Sequence, residues 1–178
     1  MAKLICIDSG HGGSDPGATN GGKYEKAVTL AAAKLLKKEL EAAGFNVIMT
    51  REDDKFLTLA ERCIIANREK ADIFVSLHCN SAENKDAHGI ETWRYTSVGA
   101  TTKQLAENIQ CRLIEATGAR DRGVKEGSLY VLKHTRMPAV LAEIGFISNT
   151  DESIKLFKTH YQTKIAKAIC QGIIDSLK

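Results

Sequence analysis

Short apolar runs rich in Ile and Val alternate along the chain with longer stretches in which apolar residues recur every three or four positions. The first pattern is that of a strand buried on both faces and the second that of an amphipathic helix, so their alternation predicts βα units around a largely parallel sheet. Strands are expected over residues 3–8, 45–50, 73–78, 89–95 and 139–144, with a short sixth in "LYVL", 129–132. The first helix is expected over 25–43, with Val28, Ala32, Leu35, Leu36 and Ala43 on one face, Lys34, Lys37 and Glu41 opposite, and Gly44 ending it. In "TLAE", Thr58 and Glu61 have the spacing of a capping box and start a second helix. Leu105, Ile109 and Leu113 mark a third over 98–117, stopped by Gly118. Asn149 and Glu152 repeat the capping spacing, and Ile165, Ile169, Ile173 and Leu177 form the stripe of the last helix. No internal repeat or linker interrupts the pattern. Residues 1–178 are therefore read as one α/β domain, a mostly parallel twisted sheet of about six strands with helices on both faces.

Composition narrows the function. A chain of 178 residues, 43% hydrophobic and 26% charged with only two prolines, can bury a substantial core and has no low-complexity tract. Its net charge of +3 comes from Lys and Arg interleaved with Asp and Glu, without the clustered basic and aromatic surface of a nucleic-acid binder. No stretch approaches a membrane span, and the apolar run before Asp8 is too short for a signal-peptide core. The expectation is a chain made in the cytoplasm without a signal peptide, with neither nucleic acid nor membrane as partner. Cys6, Cys63, Cys79, Cys111 and Cys170 are odd in number and lack C-x-x-C spacing, so they read as reduced thiols, several of them in the core.

The stretch "LICIDSGHGGSDPGA" begins as a buried strand and breaks into glycines around His11. It lacks the Gly-Lys-Ser/Thr of a phosphate loop, and its glycines do not keep the G-x-G-x-x-G spacing of a dinucleotide loop. What such glycines provide is a sharp turn that leaves an imidazole at the rim of the sheet. In open α/β sheets ligands bind beyond the carboxyl ends of the parallel strands, and two more strands end in candidates there: "DIFVSLHCN" in His78 and "PAVLAEIGF" in Glu143. An unpaired carboxylate among the apolar neighbours of Glu143 costs several kcal/mol, so it wants a cation, a metal or a proton. Glu25 follows the His11 loop directly, at the start of the first helix, and the connection can return it to that ring. Two imidazoles and one carboxylate make the three-ligand set of a catalytic zinc with an open fourth position, although manganese or iron accept the same ligand types. Glu143 is then left as a proton carrier, and the set reads as a metal-assisted hydrolase.

Taken together, "CIDSGHGGSDPGA", Glu25, "FVSLHCNSA", "DRGVK" and "MPAVLAEIGFISNTDE" resemble the zinc-dependent N-acetylmuramoyl-L-alanine amidases of bacterial autolysins, sporulation amidases and phage endolysins, in the family's order over nearly the whole chain. The resemblance implies a sheet of about six strands, one zinc ion on His11, Glu25 and His78, and Glu143 as the catalytic carboxylate. It also implies the substrate, the amide joining N-acetylmuramic acid to the L-alanine of the peptidoglycan stem peptide, and so action at the cell wall.

Around these residues the reading is looser. Cys79 follows a ligand, but strand alternation points it to the other face. Asn80 and Arg122 lie in matching blocks and are expected to shape the site or the groove. His134 is read as a surface-loop residue with a second-donor role as its alternative, and His88 and His160 as solvated polar residues. Two other functions compete: a zinc peptidase cutting within the stem peptide, and a non-catalytic wall-binding module, which has no need of Glu143. A glycosidase wants paired carboxylates without histidine ligands.

Overall fold

A computed structural model describes residues 2–178. Eight strands and six helices follow one another as β1 (Leu4–Ser9), β2 (Thr19–Asn20), β3 (Lys23–Tyr24), α1 (Glu25–Ala42), β4 (Asn46–Met49), α2 (Leu59–Arg68), β5 (Ile73–Asn80), β6 (Ile90–Arg94), α3 (Ala100–Thr117), β7 (Asp121–Glu126), α4 (Tyr130–His134), β8 (Ala139–Phe146), α5 (Thr150–Leu156) and α6 (Thr159–Ser176). Six strands form one sheet in the order β4-β1-β5-β8-β6-β7, and β2 with β3 makes a small hairpin inside the glycine-rich connection. The β4, β1, β5 and β8 strands run parallel, whereas β6 is antiparallel to β8 and parallel to β7. The mostly parallel six-stranded sheet expected from the pattern is therefore present, with two strands reversed at one edge.

Alternation along the strands builds two apolar layers. Ile5, Ile7, Val75, Leu77, Val140, Ala142 and Ile144 face one way, towards Val28, Ala32 and Leu36 of α1, Leu105 and Ile109 of α3, and Ile165, Ile169 and Ile173 of α6. Cys6, Phe74, Ala139 and Leu141 face the other way, where α2 and the short α4 bring Cys63, Ala66, Val131 and Leu132. Helices cover both faces, but the second is covered thinly, and that leaves room for a cleft. The capping signals behave as read. Thr58 and Glu61 form a reciprocal box, Asn149 accepts from the Glu152 backbone, and α3 ends at Gly118 in the left-handed conformation.

Four details differ from the sequence expectation. "LYVL" is helical, not a strand, because Val131 and Leu132 bury together on one side of α4 while Tyr130 is exposed. Leu177 follows the end of α6 and is exposed, and Ala43 lies past α1 in the exposed turn. The sixth strand is β7 in "DRGVKE", whose half-buried, charge-rich edge lacks the apolar run that marks the others. Among the described residues no helix is long and apolar enough to cross a membrane. Cys6, Cys63, Cys79 and Cys170 are buried and unpaired, and Cys111 is exposed.

Candidate functional site

The parallel strands β1, β5 and β8 end side by side, and each delivers one candidate to the same rim. The chain leaves β1 through Gly10 and turns at His11, which has a positive φ of 60°. Such a backbone is strained for a residue with a Cβ and persists where its surroundings fix it. Here Arg62 holds the His11 carbonyl at 2.7 Å, and Gly12 and Asp15 exchange backbone hydrogen bonds at 2.9 and 3.1 Å. Two glycines make the approach of the other groups possible. A Cβ on Gly10 would lie 2.4 Å from the His78 ring, and one on Gly17 would lie 2.7 Å from both the Glu25 carboxylate and the His11 ring.

His11, Glu25 and His78 form a cluster whose candidate ligand atoms all lie within 4.8 Å of one another. Glu25 Oε1 is 3.1 Å from His11 Nε2 and 3.1 Å from His78 Nδ1. The two rings stand edge to face with centroids 4.9 Å apart. The carboxylate is held from behind: Oε1 accepts from the Cys79 backbone N–H and Oε2 from that of Ala18, each at 2.8 Å. Burial acts to raise the Glu25 carboxyl, but hydrogen bonds and charge from His11 and His78 together outweigh it and hold it far below the usual carboxylate range. Asp15, which the sequence reading left out, sits 2.8 Å from His11 Nδ1. That contact leaves Nε2 as the nitrogen available to a metal, the arrangement in which an outer carboxylate orients a metal-binding histidine. Its signal in the sequence was an Asp four residues past His11 in a loop forced to double back.

Glu143 stands beside the cluster without belonging to it. On β8 it is the register partner of His78 on β5 and, across the antiparallel pair, of Glu91 on β6. Burial pushes its carboxyl up to about 7; Glu25 and Glu91 add to the rise, and His78 and His11 oppose it. Its Oε2 is buried with no hydrogen-bond partner among the described residues. A group of that kind, next to candidate metal ligands, is suited to taking and giving a proton. A cleft of about 310 Å³ opens over it, with His11, His78 and Glu143 at its floor and Phe56, Leu59 and Tyr130 on its walls. Those three side chains are exposed and apolar or aromatic, which fits a ligand laid across the cleft.

The neighbouring residues sort themselves. Cys79 points into the opposite core layer, and burial, reinforced by Glu25, keeps its thiol well above its ordinary value, so it offers no thiolate to a metal. Asn80 and Arg122 meet on Glu91, at 2.9 and 2.7 Å. Neither Glu91 on β6 nor the buried Arg51 after β4 and Arg62 on α2 is conspicuous in the sequence, because a single charged residue there is indistinguishable from a solvated one. His134 is exposed, stacked on Tyr130 and outside the cluster; His88 and His160 are exposed as expected. The His11, Glu25, His78 cluster with a buried, partnerless carboxylate alongside is chemically suited to metal-assisted hydrolysis.

Known proteins are similar to this chain in sequence and fold. The uncharacterized protein YqiI of Bacillus subtilis is 44% identical over 172 residues, covering 96% of this chain and 83% of its own. The N-acetylmuramoyl-L-alanine amidase LytC of the same organism is 40% identical over 176 residues, covering 98% of this chain and 36% of its own. Among solved structures, the N-acetylmuramoyl-L-alanine amidase from Clostridium difficile 630 superposes with a TM-score of 0.96 at 37% identity, covering 99% of this chain and 97% of that one. With residues 5–175 matched by the family profile described as N-acetylmuramoyl-L-alanine amidase, the chain belongs to that family.

Proposed function

We propose that the protein hydrolyses the amide between N-acetylmuramic acid and the L-alanine of the peptidoglycan stem peptide, using one zinc ion held by His11 Nε2, Glu25 and His78 Nδ1. The observation that carries the reading is the pairing of that three-residue cluster with the partnerless Oε2 of Glu143 beside it. The donor set fits zinc: two imidazoles and a carboxylate, with a cleft on the open side for water and substrate. When bound there, zinc supplies Lewis-acid polarisation of the scissile carbonyl and lowers the pKa of a coordinated water towards ~7. Everything else falls to the chain. Asp15 orients the His11 imidazole, the backbone N–H groups of Ala18 and Cys79 hold the Glu25 carboxylate in place, and Glu143 Oε2 accepts the proton of the attacking water. Glu143 then returns that proton to the departing alanine nitrogen, so that a single carboxylate serves both halves of the reaction. The cell wall is the place where such an enzyme acts.

Digestion of purified peptidoglycan with and without a chelator tests this directly, with new amino termini and new reducing sugar ends followed in the same samples. The expected result is chelator-sensitive release of N-terminal alanine with no reducing ends. New termini on other residues mean a peptidase, and no new ends from folded, zinc-loaded protein mean a wall-binding module. The positioning role of Asp15 has its own readout. In Asp15→Ala the freed His11 ring is expected to cost about 10–100-fold in zinc affinity, measured by competition with a chromophoric chelator, while the fold stays intact. Unchanged affinity overturns the role.

A further inference from the structure

Four ionisable side chains lie in one lateral row across the sheet, His78 on β5, Glu143 on β8, Glu91 on β6 and Arg122 on β7. The first three are consecutive register partners, and Glu91 Oε2 accepts from Arg122 Nε at 2.7 Å. The first two belong to the hydrolytic centre already described. Glu91 acts on it only through its charge on Glu143, Arg122 is not among its groups, and the construction of the pair is specific. Glu91 is 4% exposed and accepts from Asn80, from the Trp93 indole N–H and from Arg122. Arg122 is half-buried, and its stem passes Gly89 so closely that a Cβ there would come within 3.1 Å of it. Its guanidinium lies 4.8 Å above the Phe146 ring. The register between β5 and β8 shifts so that Asn80, not the residue after it, faces Phe146, which puts that ring on the site side of the sheet. The guanidinium is thus fixed from below by an aromatic face and from the side by a buried carboxylate. Only Nε is used: among the described residues the structure gives the two terminal amino groups no hydrogen-bond partner. A planar fork held in this way is preorganised for a bidentate carboxylate.

We infer that Arg122 is a specificity-determining residue that binds a carboxylate carried by the peptide portion of the substrate. The inference rests on the amidase reading for the direction in which the substrate lies. Adjacent strands are about 4.8 Å apart, so Arg122 stands about 10 Å along the row from Glu143, the span of about three extended residues measured from the bond that is cut. With the reach of its own side chain included, the carboxylate belongs within the first few residues after the scissile alanine. The ligand is therefore an acidic peptide, and amidation of that carboxylate removes the partner of the fork.

Two muramoyl peptides that differ only in a free carboxylate or a carboxamide on the residue after alanine provide the test. The zinc-loaded wild-type enzyme is expected to favour the acid about tenfold in kcat/KM, with the difference carried by KM, as a charge-assisted pair formed equally in ground and transition state requires. Arg122→Gln is expected to raise KM for the acid towards that for the amide and abolish the preference, and Arg122→Lys to restore part of it. A purely structural partner of Glu91 gives a different result, with both substrates losing alike and kcat falling. Calorimetry with the two free stem peptides, which contain no scissile amide, reads the same preference without turnover. If wild-type protein cleaves neither substrate yet binds the acid peptide about tenfold more tightly in an Arg122-dependent way, the amidase reading fails and the carboxylate site stands. Equal binding of both peptides, or a preference that survives Arg122→Gln, overturns it.

Discussion

Glu143→Gln is expected to lower turnover by about 10²–10⁴-fold while leaving bound zinc unchanged, and His78→Ala to lose both. The asymmetry follows from where the two side chains stand. Glu143 is outside the cluster of candidate ligand atoms, and glutamine keeps its shape without a charge to bury, so the change removes only the group that accepts and returns a proton. His78 Nδ1 lies 3.1 Å from Glu25 Oε1, and its removal takes away one of the three candidate ligands. Metal content by atomic emission, set against turnover of peptidoglycan in the same preparations, separates the two outcomes. Full activity in Glu143→Gln ends the assignment of Glu143 as proton carrier, and retention of stoichiometric zinc in His78→Ala ends that of His78 as ligand.

Which parts of this were legible from sequence follows from what each residue has to do. The parallel strands announce themselves because burial on both faces leaves them long apolar runs, and a polar residue set into such a run, His78 or Glu143, is conspicuous for the same reason. Strand β7 pays for its edge position with charge and a glycine at positive φ, so "DRGVKE" reads as a loop. The helical "LYVL" fails differently: four residues cannot show a period, and only the packing of Val131 and Leu132 beside α2 decides the matter. The site divides along a similar line. Its candidate reacting groups stand in or just past apolar strands and at the start of α1, but the charged groups around them, Asp15 on His11 and Glu91 under Arg122, are ordinary residues until long-range pairing brings them together. Arg51 is the extreme case, a fully buried guanidinium whose partners are the carbonyls of Ser9, Gly10, Lys26 and Asp53 and the Thr29 hydroxyl. Nothing local in "MTREDD" sets that residue apart from the charges that follow it.

Arg62→Met is expected to cost about 3–5 kcal/mol of folding stability at neutral pH, because it strands a buried carboxylate. Arg62 Nη1 donates to Asp8 Oδ1 at 2.8 Å and to the Ser9 carbonyl at 2.7 Å, and Nη2 to the His11 carbonyl. Without it Asp8, 1% exposed, keeps only the Thr50 and Ser76 hydroxyls, at 2.7 Å each. The pH dependence gives the sign. In the native protein burial acts to raise the Asp8 carboxyl, but the Arg62 charge and the hydrogen bonds from Ser76, Arg62 and Thr50 together prevail and lower it. Its contribution is then present above the unfolded value of about 3.9 and is lost as pH falls through the folded value. In Arg62→Met burial prevails, the folded carboxyl rises above the unfolded one, and the penalty is full at neutral pH and relieved on acidification. Urea unfolding at pH 7 and at pH 5 is therefore expected to show a gap between native and variant protein that narrows towards pH 5, and the double change Asp8→Leu with Arg62→Met is expected to be less damaging than Arg62→Met alone. A gap that is small at pH 7, or one that widens on acidification, is incompatible with a stranded charge. Since the same guanidinium holds the His11 carbonyl, zinc affinity should fall in the variant even where it remains folded, which ties the buried pair under the sheet rim to the chemistry above it.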